Sequence, residues 1–387
     1  MAHQGDSNLT ETVVQLLNEN GLNHMAEAIR LLLNEAMRIE RSQVLEAEPY
    51  ERSDKRRGYA NGYKPKTVDT RVGAITFQVP QARGTSFYPS ALERGVRSER
   101  ALKLAIAEMY VQGVSTRKVT EVMRELCGLD VSSTQVSRAA SLLDEELEAW
   151  RKRSLGEYRY LFLDARYEKV RHAGSVVSCA VLIAAGIDAF GHRSLLGVSV
   201  SLSEADVHWR HFLASLQERG LYGVQLIVSD DHAGLKTARE ARFPGVAWQR
   251  CQFHLPQNAG HFAPRVAMRS EIAADLRAVF DAPDRTEAER RLRLGVDKYA
   301  ATAPKLSAWL ETDVPESLTV FAFPRWHRRR TRTSNMLERL SKEIKRRTRV
   351  ATLFPNEASL LRLVTAVLME ISEEWETEKI YLRMETD

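Results

Sequence analysis

The chain has 387 residues, 44% of them hydrophobic, and a formal net charge of +5. Its length exceeds one ordinary core, so two to four domains are expected, and the hydrophobic share excludes wholesale disorder. No apolar run reaches the roughly eighteen residues of a membrane span, residues 1–12 lack the signature of a secretory signal, and three scattered cysteines (Cys127, Cys179, Cys251) exclude a disulfide framework and point to a reducing cytoplasm.

Residues 9–45 read as two helices broken near Asn20 and Gly21, with Leu16, Leu17, Met25, Ile29, Leu32, Leu33 and Met37 at spacings of three and four. Residues 49–65 are polar and basic, a linker or a DNA-tracking arm. Val72, Ile75, Phe77 and Val79 then change the period to that of short strands, with Gly73 at the bend. Residues 98–153 are helical again. Within them Val119, Val122, Met123 and Leu126 form one helix face, Gly128 supplies a stop, and a hydroxyl-capped helix begins near Ser132. This reads as a helix-turn-helix whose Gln135 and Arg138 reach base edges or phosphates, although paired helices with a glycine turn also occur in folds that never touch DNA.

From Tyr158 the texture is β-rich. Strands are expected at 160–165, 176–187 and 194–200, then a helix at 204–219, a strand at 224–229, a helix at 233–242 and a strand at 246–251. That order is the order of an RNase H-like domain. An all-helical stretch follows from Leu255, and two closing helices run from about Ser334 to Arg347 and from Asn356 to Glu378. The expected architecture is therefore α/β multidomain: an N-terminal helical region and basic linker (1–60), a small β segment (61–95), a helix-turn-helix-like DNA-binding domain (96–153), an RNase H-like catalytic core (154–254), a helical insertion (255–332) and the core's C-terminal helices (333–387).

Three carboxylates fall at telling places. Asp164 interrupts an apolar strand, where burial demands a cleft, a partner or a cation. Asp230 ends the strand LIVS, and sites in open sheets collect at strand ends. Glu338 lies on a helix whose Leu337, Leu340 and Ile344 form an apolar face, while Lys342, Lys345 and Arg349 continue its own stripe. Two Mg²⁺ ions roughly 3.5–4 Å apart stabilise the attacking and leaving oxygens of phosphodiester displacement, and three acidic residues suffice to hold such a pair, with Mn²⁺ as a substitute. Eleven Lys/Arg against two Glu between Arg325 and Arg349 surround Glu338. Arg328, Arg329, Arg330 and Arg346 join the stripe as candidate phosphate contacts, since neutralised phosphates release counterions.

The segments YLFLDARYEKVR (160–171), VSDDHAGL (228–235), WQRCQFH (248–254), SNMLERLSKEIKRRT (334–348) and LFPNE (353–357), with GAITFQVPQAR (73–83), resemble the mutator-type transposases of bacterial insertion sequences. The resemblance covers nearly the whole chain. It implies a DDE triad at Asp164, Asp230 and Glu338, an N-terminal half that recognises terminal inverted repeats, metal-dependent cleavage and strand transfer into target DNA, a homodimer, and work at the nucleoid of a bacterial cytoplasm. It also suggests a copying route through a circular intermediate. Asp231 and Arg166 depart from the family pattern, where small residues are commoner, and Asp231 is the alternative second ligand.

Cys251 and His254 have the spacing of a metal half-site, to which His232 or His261 could add, but a closed zinc site needs four ligands. The resemblance makes them a family signature near the active site, with His232 a neighbour of the second aspartate. Trp309 and Trp326 suit base stacking or plain packing. No phosphate-cradling glycine loop exists, so no nucleotide cofactor is expected. Two other readings stand beside the transposase: a non-catalytic DNA-binding regulator derived from one, and a structure-selective RNase H-like nuclease.

Overall fold

A computed structural model of the protein describes residues 4–48, 51, 54–92, 98, 100–349, 353–377 and 380–384. They form two compact units, residues 1–143 and 144–387.

The first unit opens with helices α1 (Gln4–Asn20) and α2 (Met25–Leu45), separated by a 3-10 turn beginning at Gly21. Strands β1 (Tyr59–Thr70) and β2 (Gly73–Arg83) pair as an antiparallel hairpin. Ile75, Phe77 and Val79 alternate inward on β2 and pack with Met37 of α2. Residues 59–65, expected in a linker, are thus strand. Their side chains are exposed, so β1 carries no apolar alternation to announce it. Residues 49, 50, 52 and 53 of that expected linker lie outside the described residues.

Helices α3 (Arg100–Val111), α4 (Thr116–Cys127) and α5 (Ser133–Ala140) share a core of Leu102, Ile106, Val119, Met123 and Val136. Ser115 caps α4 through the Lys118 N–H. Gly128 ends it at φ +63°, a left-handed geometry that glycine adopts without Cβ strain.

The second unit begins with α6 (Asp144–Lys152), a segment that composition grouped with the preceding helices. Its sheet comprises β3 (Tyr158–His172), β4 (Ser175–Asp188), β5 (Arg193–Ser201), β6 (Leu226–Ser229) and β7 (Ala247–Arg250), in spatial order β5-β4-β3-β6-β7. The first three strands run antiparallel, and β6 and β7 add in parallel through crossovers α7 (Asp206–Glu218) and α8 (Ala233–Arg242). Buried Leu161, Leu163, Leu182, Leu196 and Ile227 pack on Trp209, Phe212 and Leu213 of α7 and Leu235 of α8. Gly234 permits the start of α8 to close on that of α7, because a Cβ there would stand 2.3 Å from the Glu204 carbonyl oxygen.

After β7 the chain leaves the sheet for α9 (Leu255–His261), α10 (Arg269–Phe280), α11 (Arg285–Ala300), α12 (Pro304–Asp313) and α13 (Arg325–Thr331). Helices α9 to α12 have a core of their own, centred on Leu276, Leu292, Leu306 and Leu310. The chain returns as α14 (Asn335–Thr348) and α15 (Glu357–Thr377), the latter packed on β5 and β3. Arg362 of α15 donates from Nε and Nη2 to the two carboxylate oxygens of Asp144 at 2.6 and 2.8 Å, which attaches α6 to this unit. The mixed α/β expectation holds.

Candidate active site

Strand register brings the two aspartates together. The parallel ladder between β3 and β6 pairs Tyr160 with Leu226, Leu161 with Ile227 and Phe162 with Val228. Asp164 and Asp230 each follow two residues after that last rung, so adjacent strands deliver both to the same end of the sheet. Asp231 comes one residue later and is committed elsewhere. Its Oδ2 lies 3.1 Å from Nη1 of the buried Arg250, which also meets Asp313 at 2.8 Å and Glu316 at 3.5 Å. Burial leaves Arg250 dependent on such acids.

Glu338 arrives on the first turn of α14, whose Met336, Leu337, Leu340 and Ile344 are buried. Its Oε1 is buried and has no hydrogen-bond partner among the described residues. His254 Nδ1 makes an ion-pair contact with Asp230 Oδ1, off hydrogen-bond geometry. A cleft of about 260 Å³ collects Asp164, Asp230, Asp231, His232, Cys251 and His254 along with Glu204.

The electrostatics follow from this crowding. Burial pushes the Asp164 carboxyl up to about 7; the neighbouring Asp230 and Glu338 charges act in the same direction, against the Ala165 N–H and His254. Burial likewise raises Glu338, helped by Asp230 and opposed by His254 and Lys342. For His254 burial works downward, but the Asp230 carboxylate and the Cys251 thiol outweigh it and raise the imidazole to about 10. Asp164 and Asp230 thus share a cleft, with Glu338 near enough to act on Asp164, and the three carboxylates have too few donors to satisfy them, the condition in which a divalent cation is favoured. The oxygen-rich set suits a hard cation such as Mg²⁺ or Mn²⁺.

Asp230, Cys251 and His254 also offer ligand atoms within 4.8 Å of one another. The Cys251 sulfur, however, already accepts from the Ser334 N–H at 3.3 Å and the Ser334 hydroxyl at 3.2 Å. His232 faces Glu204 instead, with 3.7 Å between Nδ1 and Oε2.

The other expected residues divide. Lys342, Lys345 and Arg349 are exposed along the stripe that begins at Glu338. Arg346 is exposed but paired with Glu343 at 2.6 Å. Arg329 and Arg330 are exposed, with Arg330 over the Tyr381 ring. Arg328 spends its guanidinium on the carbonyls of Phe321, Phe323 and Pro283, so it ties α13 to its surroundings. Trp309 is buried and stacked on Phe262, which makes it a packing residue, whereas Trp326 is half-exposed.

On α5, Gln135 closes a capping box. Its Oε1 accepts from the Ser132 N–H at 2.7 Å, and its own N–H donates to the Ser132 hydroxyl. Arg138 is exposed on the same helix with Ser133, Thr134 and Ser137.

Sequence reasoning missed a second set of residues. Arg166 donates to the Ser341 carbonyl on α14 and pairs with Glu168, which also accepts from the Thr348 hydroxyl at 3.0 Å. Arg347 is buried between Glu370 of α15, at 2.5 Å, and Glu343, at 2.9 Å. Charge density marked this helix, and the one local signal for Arg347 was its place on the apolar face, three residues after Ile344.

Comparison with known sequences gives a consistent result. The sequence model of the Mutator family of transposases matches residues 3–378. The chain is 59% identical over 384 residues, 99% of each sequence, to the transposase for insertion sequence element IS406 of Burkholderia multivorans. It is 39% identical over 87% of its length, and 81% of the relative's, to the transposase for IS1081 of Mycobacterium tuberculosis. With the transposase for IS256 in transposon Tn4001 of Staphylococcus aureus it shares 36% identity over 89% of each chain.

Proposed function

Because the chain belongs to the Mutator family of transposases, we propose that it cuts and rejoins the ends of an insertion sequence through a DDE triad of Asp164, Asp230 and Glu338. The observation that carries this reading is the delivery of Asp164 and Asp230, from two adjacent strand ends, to one cleft, with the Glu338 carboxylate of α14 near enough for its charge to raise Asp164. The strand order β5-β4-β3-β6-β7, with helices inserted before the glutamate, supports an RNase H-like catalytic core. Asp164, Asp230 and Glu338 would hold two Mg²⁺ ions, which when bound stabilise the attacking and leaving oxygens at phosphorus, with Mn²⁺ able to substitute.

The residues around the triad have separable tasks. His254 orients the Asp230 carboxylate through its ion-pair contact, and Arg250 engages Asp231. Lys342, Lys345 and Arg349, reinforced by Arg329, Arg330 and Arg346, track the phosphates beside Glu338. In the first unit, α4 and α5 read terminal inverted repeats as a helix-turn-helix. Arg138 and the remaining amide nitrogen of Gln135 are its base-directed groups. Hydrolysis at the element's end frees a 3′-hydroxyl, which then attacks a phosphodiester of target DNA. Joining two ends calls for a homodimer, acting at the nucleoid of a bacterial cytoplasm.

The test is a nicking assay on end-sequence DNA with Mg²⁺ or Mn²⁺. Asp164→Asn, Asp230→Asn and Glu338→Gln should each lower the rate at least about a thousandfold, the equivalent of about 4 kcal/mol of transition-state stabilisation. Binding of end DNA should persist. Wild-type nicking by any of the three would sink the triad. Equal affinity for repeat and random DNA would remove the terminal-repeat role and leave a general nuclease.

A further inference from the structure

We propose that Cys251 is a positioning residue that sets the separation of Asp230 and Glu338, a role that rests on reading those two carboxylates as metal holders. Cys251 touches both of their supports at once. Its backbone N–H donates to the Ser229 carbonyl at 2.8 Å, fixing the residue immediately before Asp230. Its buried sulfur accepts from the backbone N–H and the hydroxyl of Ser334, at 3.3 and 3.2 Å. Ser334 is the N-cap of α14, and its carbonyl accepts from the Glu338 N–H at 3.2 Å. One residue therefore spans from the second aspartate's strand to the glutamate's helical turn.

The cap geometry shows that the sulfur, and not the helix, decides where Ser334 sits. An N-cap serine ordinarily turns its hydroxyl back to accept from an N–H of its own first turn. Ser115 and Ser132 do so in this chain. Ser334 makes no such bond and is buried, with its hydroxyl donated to Cys251 instead. The start of α14 thus forgoes its local cap for a tertiary one. A backbone bond from Gln252 N–H to the Arg332 carbonyl, 3.0 Å, lies alongside and survives any side-chain replacement. The sulfur is the part that mutation can remove.

Truncating the Cys251 side chain to a methyl group strands two buried donors and frees Ser334 to cap its own helix, which would re-aim Glu338. A hydroxyl at the same place still accepts, over a shorter reach. Groups that orient metal-holding residues typically change metal affinity by about 10–100-fold when removed.

The experiment measures Mn²⁺ binding to the full-length protein by the loss of the free-ion paramagnetic resonance signal, beside thermal unfolding followed by circular dichroism. Cys251→Ala should weaken Mn²⁺ binding about 10–100-fold, and Cys251→Ser should recover to within about threefold of wild type. Ser334→Ala, which removes one donor without stranding any, should weaken it at least about threefold and carries the test if Cys251→Ala does not fold. Wild-type affinity in Cys251→Ala or in Ser334→Ala overturns the proposal. So does a serine variant as weak as alanine. A thiolate-to-Cd²⁺ charge-transfer band on adding Cd²⁺, lost in Cys251→Ser, would also overturn it, by making Cys251 a direct ligand. Asp230→Asn and Glu338→Gln that both bind Mn²⁺ normally would instead remove the reading of those carboxylates as metal holders, and the proposal with it.

Discussion

Asp164 and Asp230 stand on strands whose relative position is fixed by a parallel backbone ladder, Tyr160 to Leu226 through Phe162 to Val228. Glu338 stands on a helix held by side chains: Ser334 by the Cys251 sulfur, Ser341 by Arg166, and Arg347 by Glu370 and Glu343. Backbone ladders tolerate substitution because every residue supplies the same donor and acceptor. Side-chain ties do not. The aspartate half of the site should therefore withstand changes around it, while the glutamate half should be vulnerable at residues far from Glu338 itself.

The largest effect tests the aspartate half directly. Asp164→Asn should abolish nicking and yet stabilise the metal-free protein. The carboxyl is raised from 3.8 to about 7, so between those values the folded protein holds a proton that the unfolded chain releases. Metal-free stability of the wild type then falls as pH rises from about 4 to 7 and is flat above, whereas the Asn variant lacks this slope. At pH 8 the variant should gain on the order of 4 kcal/mol in urea unfolding, and nothing at pH 4. Equal stabilities at pH 8 would mean that Asp164 carries no burial strain.

Next comes the glutamate half. Arg347→Met leaves Glu370 and Glu343 without their shared cation and should cost about 2 kcal/mol, less than a fully enclosed pair because Glu370 is partly exposed. Arg346→Ala, which removes an exposed partner of the same Glu343, should cost no more than about 0.5 kcal/mol by the same measurement. Similar losses from both would show that α14 is not held by its buried pair.

A smaller effect separates the adjacent aspartates. Asp231→Asn withdraws one of three acids from Arg250 and should cost about 1 kcal/mol, with nicking within about tenfold of wild type. If nicking collapses in Asp231→Asn and survives in Asp230→Asn, the second ligand is Asp231.

The smallest expected change is in salt dependence. The double variant Lys342→Ala/Lys345→Ala should flatten the log–log salt slope of DNA affinity by one to two units, at about 0.9 per phosphate contact. An unchanged slope would place the stripe away from DNA.

The aspartate half was legible in the sequence because each strand is an apolar run closed by an acid, LFLD and LIVS before Asp230. Ladder and register then follow from the strand pattern. What escaped reading is what depends on tertiary approach. Cys251 and Ser334 are separated by the whole helical excursion, and no local signal connects them. Arg328 read as a phosphate ligand within an arginine run, yet carbonyls from three residues claim it. The start of strand β1 was read as basic linker because its early residues face solvent, so period two carries no hydrophobicity. The capping box at Ser132 and Gln135 was available in the sequence, as a serine followed three residues later by glutamine.

The backbone bond between Gln252 and Arg332 joins the two ends of the helical excursion to each other. In evolutionary terms the excursion is a cassette plugged into a closed socket. Helices α9 to α12 keep their own core and return the chain to the residue pair from which it left. The excursion is also tied to the end of β7, since its Asp313 and Glu316 meet Arg250 and its Ser317 carbonyl accepts from Gln249 and Gln252. Changes on the outer helices are thus insulated from Asp230 only where they spare those ties.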